Sequence, residues 1–184
     1  MYLDSLDADH SLFLADEVAG YQKKFGPTFG AALKAGNLEG PYTIHAQYRA
    51  RLKSFYEFMI AELKKPQNLN QANVYIETDR EKAPYFKTKA EQQAHWQKML
   101  VSQLINLTIS KEEDAAKQKA LKDDPTLADG QDLTASEDLT PVQTLTKRYM
   151  RQLERMSRAK SDDVLDKTLN AMLATYDPHS NYFP

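Results

Sequence analysis

The chain has 184 residues, 41% of them apolar, with 24 basic and 26 acidic side chains and a formal charge of −2. A single folded unit of that size hides roughly 70% of its unfolded surface, and the near balance of charge excludes a dominant electrostatic footprint for nucleic acid. No apolar run approaches the roughly 20 residues that a transmembrane helix needs, and the absence of cysteine excludes disulfides and thiolate metal sites.

Taken in order, the apolar positions fall on helical spacings. Leu14, Val18, Tyr21 and Phe25 lie at i, i+4, i+7 and i+11, one face of a helix that ends at Gly26-Pro27. A short helix carrying Phe29 and Leu33 follows and stops near Gly36. After Gly40-Pro41 a stripe of Ile44, Tyr48, Leu52, Phe55, Met59 and Leu63 runs to about Lys65, a helix of about 30 Å at 1.5 Å per residue, and Pro66 stops it. Residues 67–87 read as irregular, with Asn68-Leu69-Asn70 and Ala83-Pro84 as breakers.

Thr88-Lys89-Ala90-Glu91 is a capping-box pattern, followed at helical spacing by Trp96, Met99, Leu100, Leu104 and Leu107. Ser110-Lys111-Glu112-Glu113 reads as a second box, opening a separate charged helix with little apolar face. From Asp123 to Thr140 there are six acidic residues and no Lys or Arg, so this stretch is expected to be a mobile acidic loop. Thr140-Pro141-Val142-Gln143 is a third box with proline at the favoured first position. Val142, Leu145, Tyr149, Leu153 and Met156 draw its apolar stripe. Ser161 is expected to cap a last helix that buries Val164, Leu165, Leu169, Met172, Leu173 and Tyr176. The fold expected is all-α: an irregular bundle of long amphipathic helices over residues 1–176. Residues 177–184, a polar and turn-prone strip, read as the start of a linker into a further domain.

Chemistry is hard to find in these patterns. His10, His45, His95 and His179 never pair at i+3 or i+4, so no helical metal site suggests itself. Asp4, Asp7 and Asp9 before His10 lack the ligand pattern of a calcium loop and read as turn or capping residues. Asp177-Pro178-His179-Ser180 holds an acid, an imidazole and a hydroxyl, yet adjacent side chains on a turn rarely converge on one atom, and a structural turn is the expectation. Asp79-Arg80-Glu81-Lys82-Ala83-Pro84 reads as a locally paired charged loop. Trp96 reads as core. No phosphate loop, Gly-x-Ser-x-Gly elbow or HExxH motif occurs.

Three stretches carry a resemblance. Tyr2-Leu3-Asp4-Ser5-Leu6-Asp7-Ala8-Asp9-His10 with Phe13-Leu14-Ala15-Asp16, then Asp79 to Pro84 with Glu91 and Trp96, then Tyr176-Asp177-Pro178-His179-Ser180-Asn181-Tyr182-Phe183 resemble, in order, the helical N-terminal region of tail-specific proteases, the carboxy-terminal processing peptidases of family S41. Residues 111–139 look longer than the family pattern and read as an insertion. The resemblance implies that a PDZ domain follows and captures substrate tails, and that a later Ser/Lys core cuts them. Neither motif of that core occurs here, so no catalytic residue, cofactor or metal is carried over.

The resemblance further implies a scaffold that walls off the proteolytic groove. It implies a periplasmic parent exported behind a signal peptide outside this chain, and in some bacteria a docked lipoprotein adaptor. For such docking Tyr42, Tyr56 and Tyr85 are the aromatic anchors expected, since buried aromatics dominate interface hot spots. The rival expectation is an autonomous helical module for protein binding or oligomerisation, unrelated to proteolysis.

Overall fold

The stripe from Ile44 to Leu63 becomes the spine around which everything else packs. In the computed structural model this helix, α4, spans Glu39–Leu63 and is about 37 Å long at 1.5 Å per residue. Before it come α1 (Tyr2–Leu6), α2 (Ala15–Phe25), a 3-10 turn (Gly26–Thr28) and α3 (Phe29–Lys34). After it come α5 (Lys89–Asp123), α6 (Pro141–Arg158) and α7 (Asp162–Leu173). The structure describes residues 2–70, 75–123, 139–158, 162–173 and 182. Among these there is no strand, only a lone parallel bridge between Leu14 and Phe86, so the all-α expectation holds. The acidic residues 124–138, Ser161, Tyr176 and Asp177 to Asn181 lie outside the described residues.

Each boundary has a local cause. The N-cap of α2 is Leu14, which has no side-chain acceptor, and the Glu17 carboxylate compensates by accepting the Leu14 N–H at 2.9 Å. Phe13 just outside the cap and Val18 one turn in share one apolar cluster, the arrangement of a hydrophobic staple. α3 closes with a Schellman motif: Gly36 sits at φ +74°, its N–H donates to the Leu33 carbonyl, and Asn37 N–H donates to Ala32. Gly40 lies where a Cβ would stand 3.3 Å from the rings of Phe25 and Phe29, so a side chain there would push α4 away from α2 and α3. The spine starts two residues earlier than Pro41 suggested, because a proline in the first turn forfeits only an N–H that has no intrahelical partner anyway.

Two of the three capping boxes form. Thr140 Oγ1 accepts the Gln143 N–H, and Gln143 Oε1 accepts the Thr140 N–H in return. Thr88 Oγ1 accepts the Glu91 N–H, but the Glu91 carboxylate reaches one residue further back, to the N–H of Lys87. The third does not open a helix. Ser110 lies inside α5, which runs unbroken for 35 residues. With neither Gly nor Pro between Lys89 and Asp123, nothing competes with the i to i+4 ladder, and a Ser-x-x-Glu pattern in mid-helix is only composition. Residues 111–119 of that helix are exposed, consistent with the weak apolar face read from their sequence.

Two apolar clusters share the spine. The C-terminal half of α4 packs with α5 and α6 around Leu12, Met59, Leu63, Trp96, Leu100, Leu104, Leu145 and Tyr149. Its N-terminal half packs with α1 and α2 around Tyr2, Leu6, Phe13, Val18 and Ile44, and Tyr48 touches both clusters. Val142, expected on the α6 stripe, is instead exposed; it stands one turn before Leu145, beyond the reach of the spine.

Candidate functional site

Residues 7–14 and 80–86 meet at a junction built almost wholly from polar side chains that hold backbone. Asp7, 3% exposed, turns both carboxylate oxygens inward and accepts the N–H groups of Ser11, Leu12 and Phe13, each at 2.9 Å. From α5, Gln92 Nε2 donates to the carbonyls of Ser11 and Leu12, and Trp96 Nε1 donates to Ser11. His10 sits in the left-handed region at φ +48°, its Nδ1–H donating to Ala83 at 2.6 Å and its ring stacked on Tyr85 at 4.0 Å. Arg80, 7% exposed, bonds Glu77 and the Pro84 carbonyl and lays its guanidinium 4.2 Å from the Phe86 ring. Arg80 of the Asp79 to Pro84 loop is thus locally paired, as the sequence suggested; of the aspartates before His10, Asp7 holds backbone as expected, whereas Asp4 stands 3.5 Å from His10 Nε2.

Beside this junction lies an apolar groove of about 540 Å³ between α1, α2, α3 and α7. Tyr2, Tyr21, Phe25, Phe29, Tyr85 and Met172 are among its lining residues. Two local devices shape it. Tyr2 donates its hydroxyl to the Pro41 carbonyl, and Thr168, 1% exposed, returns its hydroxyl to Val164 within α7. Asn170 clasps the backbone of Tyr182, whose N–H donates to Oδ1 at 2.7 Å, so the chain after α7 is brought back to that helix.

The three tyrosines expected at a docking surface are not brought together. Tyr42 lies in the second turn of α4 and is 41% exposed. Tyr56 stands fourteen residues on, about 21 Å along the same helix, and packs half-buried against Phe55 and Tyr149. Tyr85 lines the apolar groove with its hydroxyl buried. Larger exposed apolar side chains that the periodicity did not single out are Tyr75, Met150 and Ile109. Tyr75 follows a stretch without helical period, so no stripe marked it.

Nothing in the described geometry assembles a reacting pair. Ser110 and Lys111 are consecutive on an α-helix, where neighbours diverge by about 100°, and Lys111 donates to the Leu139 carbonyl. Among the described residues no three His, Asp or Glu side chains stand close enough to hold a metal ion, and no helix is long and apolar enough to cross a membrane.

Burial governs the ionisation of the aromatic phenols. It pushes Tyr149 up to about 12, and Tyr85 likewise to about 12, with the Asp7 charge adding to the latter. Below pH 10 both phenols are protonated whether the chain is folded or not, so they contribute no pH dependence. Between about pH 10 and 12 the unfolded chain gives up these protons while the folded chain keeps them, so stability falls as pH rises. Alkaline denaturation across that window is therefore expected, with phenylalanine at both positions flattening the slope. Equal slopes for the parent and the double variant in urea titrations would contradict this.

The chain belongs to the tail-specific protease N-terminal domain family: the family described as "Tail specific protease N-terminal domain" matches residues 1–184. It is 28% identical over 181 residues to the tail-specific protease of Haemophilus influenzae, a span that covers 98% of this chain and 22% of that protein. The chain thus spans about a fifth of the length of the curated relative it matches.

Proposed function

We propose that this chain is the non-catalytic front end of a periplasmic tail-specific serine endopeptidase, a helical wall that governs which substrates reach a cutting site elsewhere in the same protein. The observation that carries the reading is the match of the whole chain to the N-terminal domain of such proteases, together with its alignment to only 22% of a full-length relative. The architecture suits the role. A 37 Å spine with a core on either end is stiff, and stiffness is what a wall requires. A PDZ domain that captures apolar tails and a Ser/Lys dyad that cuts them belong, in this reading, to the rest of the protein.

The same reading includes docking of a lipoprotein adaptor. Tyr42 is the most exposed of the candidate anchors, with Tyr56 half-buried and Tyr85 lining the apolar groove. The test compares three preparations on a folded reporter ending in an apolar tail. The full-length protein degrades it, the isolated 184-residue chain leaves it intact, and the full-length protein lacking this segment loses its preference for tail-exposed over compact substrates. Cleavage by the isolated chain, abolished by a point substitution within it, would overturn the reading.

A further inference from the structure

We infer that the cleft between α5 and α6 is a docking surface for an acidic peptide segment of a partner protein, a reading that does not depend on proteolysis. The cleft encloses about 550 Å³ over an apolar floor of Leu107, Leu139 and Pro141. Its α6 wall carries Arg148, Arg151 and Arg155, all exposed and at i, i+3 and i+7, so they form one row about 10.5 Å long. Among the described residues none of these three arginines has an ion-pair partner, whereas Arg158 on the same helix is paired with Glu154. Among the described residues Asp114 is the one carboxylate lining the cleft. A chain of net charge −2 thus presents a row of three arginines on one concave surface.

Guanidinium groups favour planar, bidentate carboxylates. A row of three at that spacing matches acidic side chains on one face of a helix, or about three residues of extended chain. The trough shape selects a peptide over a bilayer, because a flat anionic membrane meets the rim and cannot reach the apolar floor, and the net negative charge of the chain opposes it as well. A ligand that combines acidic residues with a leucine-sized side chain satisfies both wall and floor.

The test titrates a fluorescein-labelled peptide of alternating glutamate pairs and leucines into the 184-residue chain at low salt, read by anisotropy. Saturable binding is expected, weakening with added salt and falling about tenfold or more in the Arg151→Glu/Arg155→Glu variant, a loss of about 1.4 kcal/mol per decade. Both arginines are exposed, so helicity by circular dichroism should be unchanged. Lys87→Glu/Lys98→Glu changes the net charge equally at exposed positions away from the cleft and should leave affinity within about twofold. Three results would overturn the inference. Equal loss in both variants would make the attraction non-specific. Binding of phosphatidylglycerol vesicles but not of the peptide would make the surface a lipid contact. Peptide binding that emerges only after Asp129→Asn, Asp132→Asn, Glu137→Gln and Asp138→Asn would assign the cleft to the acidic stretch of this same chain.

Discussion

Replacing Asp7 with alanine should lower the unfolding free energy by about 4 kcal/mol, since three N–H groups, two of them buried, lose a charged acceptor together. In a chain of this length that corresponds to a fall in Tm of roughly 8–16 °C. The carboxylate organises the reversal of direction between α1 and α2, and every apolar side chain just beyond it depends on that path. Leu12, Phe13 and Leu14 are each at most 8% exposed, and Leu12 and Phe13 enter one apolar cluster each. Asp7→Asn keeps one acceptor oxygen and should cost about half as much. Thermal and urea unfolding followed by circular dichroism measure both. A loss below about 1 kcal/mol for the alanine variant would mean that water replaces the carboxylate freely, contrary to its burial.

The second large effect is expected at Trp96, the one tryptophan of the chain. Its ring is 2% exposed, edge-on to Phe55 at 5.2 Å and tilted against Phe58 at 5.6 Å. Truncation to alanine leaves a cavity between α4 and α5 and should destabilise the fold by about 3–5 kcal/mol. Trp96→Phe separates the two roles of the indole. Phenylalanine restores most of the apolar contact and removes only the N–H donor to Ser11, whose carbonyl still accepts from Gln92 at 3.1 Å. That variant should therefore lose only about 1 kcal/mol. Asp7 and Trp96 grip the same segment from opposite sides, so the double variant should lose less than the sum of the singles. Strict additivity would show that the segment is held by two independent contacts.

Much of the helical layout was legible in the residues because it rests on local chemistry. The stripe from Ile44 to Leu63 marks α4, the Thr140–Gln143 pair marks the start of α6, and Gly36 marks the end of α3. Each signal lies within a few residues of the feature it sets. The five-residue helix at Tyr2–Leu6 escaped notice because it is shorter than two turns and has no period to read. Ser110 was misread because a capping pattern gains meaning only where the preceding helix has ended. The outward position of Val142, which lies on the α6 stripe, depends on tertiary packing that α6 alone cannot reveal.

Family membership was readable from short stretches at both ends and in the middle of the chain, and the whole-length match bears it out. The candidate surfaces were far less legible. Of the three tyrosines singled out, Tyr42 alone is exposed, because Tyr56 and Tyr85 meet partners from α6 and from the His10 turn. The arginine row on α6 was not singled out in the sequence, because it becomes the wall of a cleft only when α5 stands opposite it. Apolar periodicity by itself determined the helical class and the longer helices, since these follow from forces acting over a few residues, whereas the kinship rested on a resemblance carried by short motifs. Tertiary structure alone decided which polar groups went inside, as with Asp7, Gln92 and Thr168, because burying them requires partners that lie far along the chain or emerge only when helices meet.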